Sequence, residues 1–289
     1  MPATFSDRIL VAMQVSKIIS WLALACAFVA ANAFGHGDVH DRIVALTAQI
    51  AQTPTNASLY FQRADLYRVD GDWTSALIVL NHVARLERSI KRVDFMRGLV
   101  QHEANQPQAA LAPLNRYLAE KPPDGEAYTV RARVLAKLGR HSGAVDDYTT
   151  AIRISSPANP ELFIERAASL RAIGKLEEAV RGLDEGIRKL GPLVTFELPA
   201  VDLELALKNY DAALARIDTV TARLQRKETW LVRRAEILRT AGREDDARKN
   251  YYAALEAIDR LPPAHRGTRM MLELEARIRT ALTTNATAK

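Results

Sequence analysis

Apolar residues recur three and four apart along most of this chain, in runs of about a dozen separated by short polar turns, the spacing of helices with one buried face. In YFQRADLYRV, Tyr60, Ala64 and Tyr67 share a stripe. Past Gly71-Asp72, WTSALIVLNHVARL sets Trp73, Ala76, Leu80 and Val83 on another. The pattern predicts two antiparallel helices joined by a turn at Gly71, where a glycine can take the backbone conformation that ends a helix.

The same pattern returns down the chain. The turn column reads Gly71, Asn105, Gly139, Gly174, Lys208 and Gly242, at spacings of 34, 34, 35, 34 and 34 residues. Five residues beyond each turn stands an alanine: Ala76, Ala110, Ala144, Ala179, Ala213 and Ala247. Before the turns run Arg63, Arg97, Arg131, Arg166 and Arg234, each followed by a small residue: Ala64, Gly98, Ala132, Ala167 and Ala235. A further column reads Leu80, Leu114, Tyr148, Leu183, Ile217 and Tyr251. The small residues mark where two helix backbones come closest, because a larger side chain would hold them apart. One pair cannot bury both of its stripes, so the six units (57–90, 91–124, 125–158, 160–193, 194–227 and 228–261) must stack on one another.

A period of this length, with large, small, aromatic and alanine positions in this order, resembles the tetratricopeptide repeat (TPR) family. The third unit carries the likeness best, through Tyr128, Ala132, Leu135, Gly139, Ala144, Tyr148 and Ala151. The resemblance implies an all-α fold, a right-handed α–α superhelix of about six helix pairs with capping helices at both ends. The fifth unit departs from the pattern, with Ala200, Val201 and Glu204 where the others carry arginine, a small residue and a large apolar one. Proline inside a helix costs about 3 kcal/mol, so the first helix of that unit is expected to start at Pro199 or bend there. Pro113 is expected to bend a second helix. At the N-terminal end Ile43, Leu46 and Ile50 mark an amphipathic helix over 38–52; at the other, Met271, Leu274, Ile278 and Leu282 mark one ahead of a frayed tail within 262–289.

The first residues read differently. Lys17, the apolar run IISWLALACAFVA and then Ala31-Asn32-Ala33 have the three parts of a secretory signal over 1–33. Met13 would open a more ordinary signal than Met1, and a retained anchor is the alternative to cleavage. An exported protein, periplasmic or secreted, is expected, with membrane contact only through an uncleaved signal. Cys26, the only cysteine, lies in this run, so a cleaved chain holds no thiol, disulfide or cysteine-bound zinc. Residues 34–56 join the signal to the repeats. Cleavage after Ala33 would expose Phe34-Gly35-His36, whose amine, backbone amides and His36 imidazole could form a square-planar site for copper or nickel. That is the basis of an alternative reading as a periplasmic metal-handling protein.

Charge and motif content then narrow the function. A net charge of +6, without a concentrated basic face, points away from nucleic acid. The chain has no phosphate-binding glycine loop, HExxH or GxSxG, and the histidines inside the repeats fall in different units. No catalytic set and no cofactor are therefore expected. The resemblance instead implies a scaffold that binds a protein or peptide on the concave face made by the first helix of each pair. That face would comprise Phe61, Asp65, Arg68, Arg92, Phe95, Leu99, His102, Thr129, Arg133, Lys137, Ile164, Arg171 and Arg239. Chaperone-binding members clamp a terminal carboxylate with Lys and Asn; here Phe61 and Asp65, then Phe95 and Leu99, stand at those positions. The alternation of apolar residues with arginines suggests a partner segment that is both apolar and acidic.

Overall fold

The structure, a computed structural model, describes residues 38–87, 92–120, 124–157 and 159–284. The expected signal over 1–33 with Cys26, and the Phe34-Gly35-His36 candidate metal site, lie outside the described residues. Among the described residues all regular structure is helical, and no helix is long and apolar enough to cross a membrane. The chain divides into two compact units at Pro122–Pro123.

The first unit contains α1 (residues 38–52), α2 (Ala57–Val69), α3 (Trp73–Leu86), α4 (Arg92–Glu103) and α5 (Pro107–Glu120). Helices α2 and α3 pair, as do α4 and α5, and α3 packs on α4. The core gathers Ala64, Ala76, Leu80, Val83, Val93 and Val100. Ile43 and Ile50 of α1 are buried, and Arg63 of α2 donates a hydrogen bond to the Thr47 hydroxyl of α1 at 3.2 Å.

The second unit continues the plan with α6 (Gly125–Lys137), α7 (His141–Ile154), α8 (Pro160–Ala172), α9 (Leu176–Leu190), α10 (Val194–Ala206), α11 (Tyr210–Thr221), α12 (Glu228–Thr240) and α13 (Glu244–Asp259). The short α14 (Pro263–Arg266) leads to α15 (Arg269–Thr284), which packs on α13 through Met271, Leu274 and Ile278. One core is built around Ala144, Tyr148, Phe163, Leu183 and Phe196, another around Ile217, Leu238, Tyr251 and Ile258.

All six turn-column residues have positive φ: Gly71, Gly139, Gly174 and Gly242 at 72 to 81°, Asn105 at 57° and Lys208 at 60°. Each donates its N–H to the carbonyl three residues back at 2.9–3.1 Å, and the next residue donates to the carbonyl five back at 2.8–2.9 Å. This double closure uses carbonyls that the end of a helix would otherwise leave open. The six-fold alanine column is buried throughout, at 0–1% exposure. At Gly98 the approach is closer still, since a Cβ there would lie 2.4 Å from Leu114 Cγ.

Both prolines lie within continuous helices. Pro113 is buried inside α5. Pro199 does not start α10, which begins at Val194. The buried Phe196 ring meets Phe163 edge-on, with centroids 5.9 Å apart, and this contact fixes the turn before Pro199. The carbonyls that the two prolines leave unserved, on Ala109 and Thr195, belong to exposed residues where water can take the bond.

The fifth pair departs in sequence because it places its buried charge differently. In α6–α7 a guanidinium on the first helix, Arg131, meets a carboxylate on the second, Asp147. In α10–α11 the position corresponding to Asp147 is Arg216. It reaches Glu204 at 3.3 Å and Glu197 at 3.4 Å on the first helix, and Asp184 of α9 at 2.9 Å. The guanidinium has changed helices, and the residues at 197, 200 and 204 follow from that exchange.

Candidate functional site

In the first unit the expected contact residues sit on α2 and α4. Arg68 Nε donates to Asp65 Oδ1 at 2.9 Å, and its Nη1 to Glu103 Oε1 at 2.8 Å, which ties α2 to α4. Burial opposes the Arg68 charge, but the hydrogen bonds to Asp65 and Glu103 outweigh it and raise its pKa. Phe61 and Leu99 are half-buried and pack against the core, and His102 is half-buried in the last turn of α4.

Phe95 is a core residue rather than a contact residue. It is 1% exposed, its ring centroid lies 5.5 Å from that of Tyr117, and the Arg92 guanidinium sits 5.4 Å over it. Helix α4 packs on α2, α3 and α5, so it is buried on more than one side. Counting from the turn finds one buried stripe and misses the second.

In the second unit Arg133 of α6 donates from Nε to both carboxylate oxygens of Glu165 on α8, at 3.0 and 3.1 Å, and its Nη2 lies 3.4 Å from Glu161. The bond to Glu165 is the main reason that the Arg133 pKa is raised. Glu165 also hydrogen-bonds to Tyr148, whose hydroxyl pKa is pushed up chiefly by burial. The Thr129 hydroxyl is occupied within α6 by the Gly125 carbonyl at 2.8 Å. Ile164 is half-buried on the face of α8 that carries Glu161, Glu165 and Arg171, by their three- and four-residue spacing. Lys137 is exposed at the end of α6. Arg171 and Arg239, also exposed near helix ends, meet no carboxylate among the described residues.

The same device appears where α10 meets α12, with Asp202 and Arg233 at 2.7 Å, and where α12 meets α15, with Glu236 and Arg277 at 3.2 Å. Ion pairs between residues about one repeat length apart thus tie α2 to α4, α6 to α8 and α10 to α12. Sequence reading named Arg68 and Arg133 but missed their partners, although Glu103 lies 35 residues after Arg68 and Glu165 lies 32 after Arg133. Chemically, each face offers partly exposed apolar side chains beside arginines, of which Arg68 and Arg133 are already matched by carboxylates. Among the described residues no group of three His, Cys, Asp or Glu side chains is placed to hold a metal.

The family model described as tetratricopeptide repeat matches residues 61–125, 95–160 and 198–263. Among solved structures, a tetratricopeptide repeat protein from Parabacteroides merdae aligns with a TM-score of 0.52 at 18% identity, over 84% of this chain and 93% of that one. YrrB, described as a TPR protein with an unusual peptide-binding site, aligns with a TM-score of 0.53 at 19% identity, over 60% and 89%. The C-terminal part of a TPR repeat-containing protein from Cytophaga hutchinsonii gives 0.58 at 15% identity, over 69% and 79%. At these identities the likeness is one of fold. No curated protein matches the sequence.

Proposed function

The chain belongs to the tetratricopeptide repeat family, and from that premise we propose that it is a non-catalytic scaffold that binds a protein or peptide along the first helices of its pairs. The observation that carries the reading is the face of α8 that bears Glu161, Ile164 and Arg171. Half-buried Ile164 lies there between the Arg133–Glu165 pair and the exposed Arg171. The peptide-binding site for which the YrrB structure is described lends support from the same fold.

The internal ion pairs change what the partner should look like. An incoming carboxylate would have to displace Glu103 from Arg68 or Glu165 from Arg133, exchanging one paired charge for another. Affinity on this face comes instead from apolar side chains, at about 25 cal/mol per Å² buried less the cost of ordering the segment. Capture from the source extract by the parent protein and by Ile164→Glu tests this. Proteins enriched by the parent and lost with an equally stable Ile164→Glu support the face. An identical set from both variants removes it.

The same proposal includes export, supported by the charge, apolar run and Ala31-Asn32-Ala33 order at the N-terminus. Mass spectrometry of the native protein should find a first residue at or near Phe34. Intact Met1 or Met13 would refute it.

A further inference from the structure

A groove of about 380 Å³ runs between α7 and α9, with Arg166 and Leu170 of α8 among its lining residues. It lies in the stretch 161–197, between the segments that match the family model, and on α7. Gly182 of α9 keeps it open, because a Cβ there would stand 3.3 Å from Arg166 Nη2. The Arg166 guanidinium is buried over the Phe163 ring and donates to Glu185 at 2.6 Å.

The charges of the groove do not cancel. Of its two carboxylates, Glu178 is matched by Lys175 at 3.0 Å and Glu185 by Lys189 at 2.8 Å as well as by Arg166. Of the three lining arginines, Arg166 alone enters these pairs. The other two, Arg181 and Arg188, are exposed on α9 and form no ion pair among the described residues. Seven residues apart, they project from one side of the helix two turns apart, about 10.5 Å along its axis. The partly buried Val145 and the buried Leu170 supply an apolar strip beside them.

We propose that this groove is a second docking site, for an acidic amphipathic helix of a partner protein laid along α9 with carboxylates seven residues apart. The proposal rests on the reading of the chain as a protein-binding scaffold but uses a different surface. A helix is the natural occupant because its two-turn repeat matches the spacing of Arg181 and Arg188 along α9 and leaves an apolar side chain between the two carboxylates to meet Val145 and Leu170. Guanidinium groups suit discrete carboxylates, which they grip at two points. A continuous polyanion would meet Glu178 and Glu185 beside every arginine it reached, so a nucleic acid fits the groove poorly.

The probe is a fluorescein-labelled, end-capped, alanine-rich helical peptide with two glutamates seven residues apart and a leucine between them, read by fluorescence anisotropy at low salt. The full chain should bind it about tenfold or more tightly than the same peptide with glutamine for glutamate, a ratio in the range of charge-assisted contacts. Arg181→Gln with Arg188→Gln should weaken binding about tenfold. Arg42→Gln with Arg85→Gln, which removes the same net charge from α1 and α3, should change it less than about twofold. All four side chains are exposed, and melting curves establish that both variants fold. Equal losses from the two double variants would reduce the effect to net charge and overturn the proposal, as would equal affinity for the glutamate and glutamine peptides. Displacement of the peptide by an oligothymidylate at equal concentration would assign the groove to polyanions and overturn it too. Failure of the first-helix face is read in the Ile164→Glu variant, so the two proposals fall separately.

Discussion

Arg131 donates from Nε and Nη2 to the two carboxylate oxygens of Asp147, each at 2.7 Å, and joins the two helices of its pair through a bond that water barely reaches. The Asp147 side chain is 7% exposed, and the Arg131 pKa is raised first of all by this hydrogen bond. Both groups are planar, so the two parallel N–H···O bonds form together as a two-point contact.

Removing Arg131 leaves the buried Asp147 carboxylate without its guanidinium. Arg131→Ala should lower the unfolding free energy by about 3 kcal/mol. Arg233→Ala, which breaks the exposed pair with Asp202 at the same 2.7 Å, should cost less than about 1 kcal/mol. Urea unfolding of the two variants checks the contrast, which depends on burial and not on distance.

Lys208 occupies the left-handed position that glycine holds in four of the six turns, at φ 60°. A side chain with a Cβ there costs on the order of 1 kcal/mol, offset in part by the greater freedom of an unfolded glycine. Lys208→Gly should therefore stabilise the protein by about 0.5–1 kcal/mol, measured as a higher urea midpoint with an unchanged slope. Gly139→Ala should move the midpoint the other way.

Gly98 faces Leu114 so closely that even a methyl group would overlap it. The neighbour is a side chain that can partly rotate away, so Gly98→Ala should destabilise by about 1–3 kcal/mol rather than prevent folding. Pairing it with Leu114→Ala should recover part of that loss, because the second change empties the space that the first one needs. Melting of the single and double variants measures the coupling.

Asp94 accepts from Arg116 Nε and Nη2 at 3.0 and 2.9 Å and from Arg97 at 3.3 Å. The Arg116 hydrogen bond is the main cause that holds its carboxyl below the usual value of 3.8, against the opposing effect of burial. A depressed carboxylate stabilises the fold above its unfolded pKa, and that contribution disappears as pH falls through the folded pKa. The gap in stability between the parent and Asp94→Asn should therefore be full at neutral pH and narrow as pH drops below about 4. Chemical unfolding across that range, at low salt because Arg116 is half exposed, tests the sign.

The chain by itself determined the repeating part of this protein. The turn column, including Asn105 and Lys208, could be located from spacing because backbone that must close a helix in the same way six times restricts the same position six times. The alanine column at Ala76 to Ala247 was legible for the same reason, since close helix approach excludes larger side chains wherever it recurs. Tertiary structure decided what a period cannot carry. It buried Phe95, because α4 is covered on several sides, and it kept Pro199 inside α10, because Phe196 found Phe163. It paired Arg68 with Glu103 and Arg133 with Glu165, and it gathered Asp184, Glu197 and Glu204 around Arg216. Each of these depends on where side chains from different helices meet, and a single stripe on one helix holds no information about the charge that another helix brings to it.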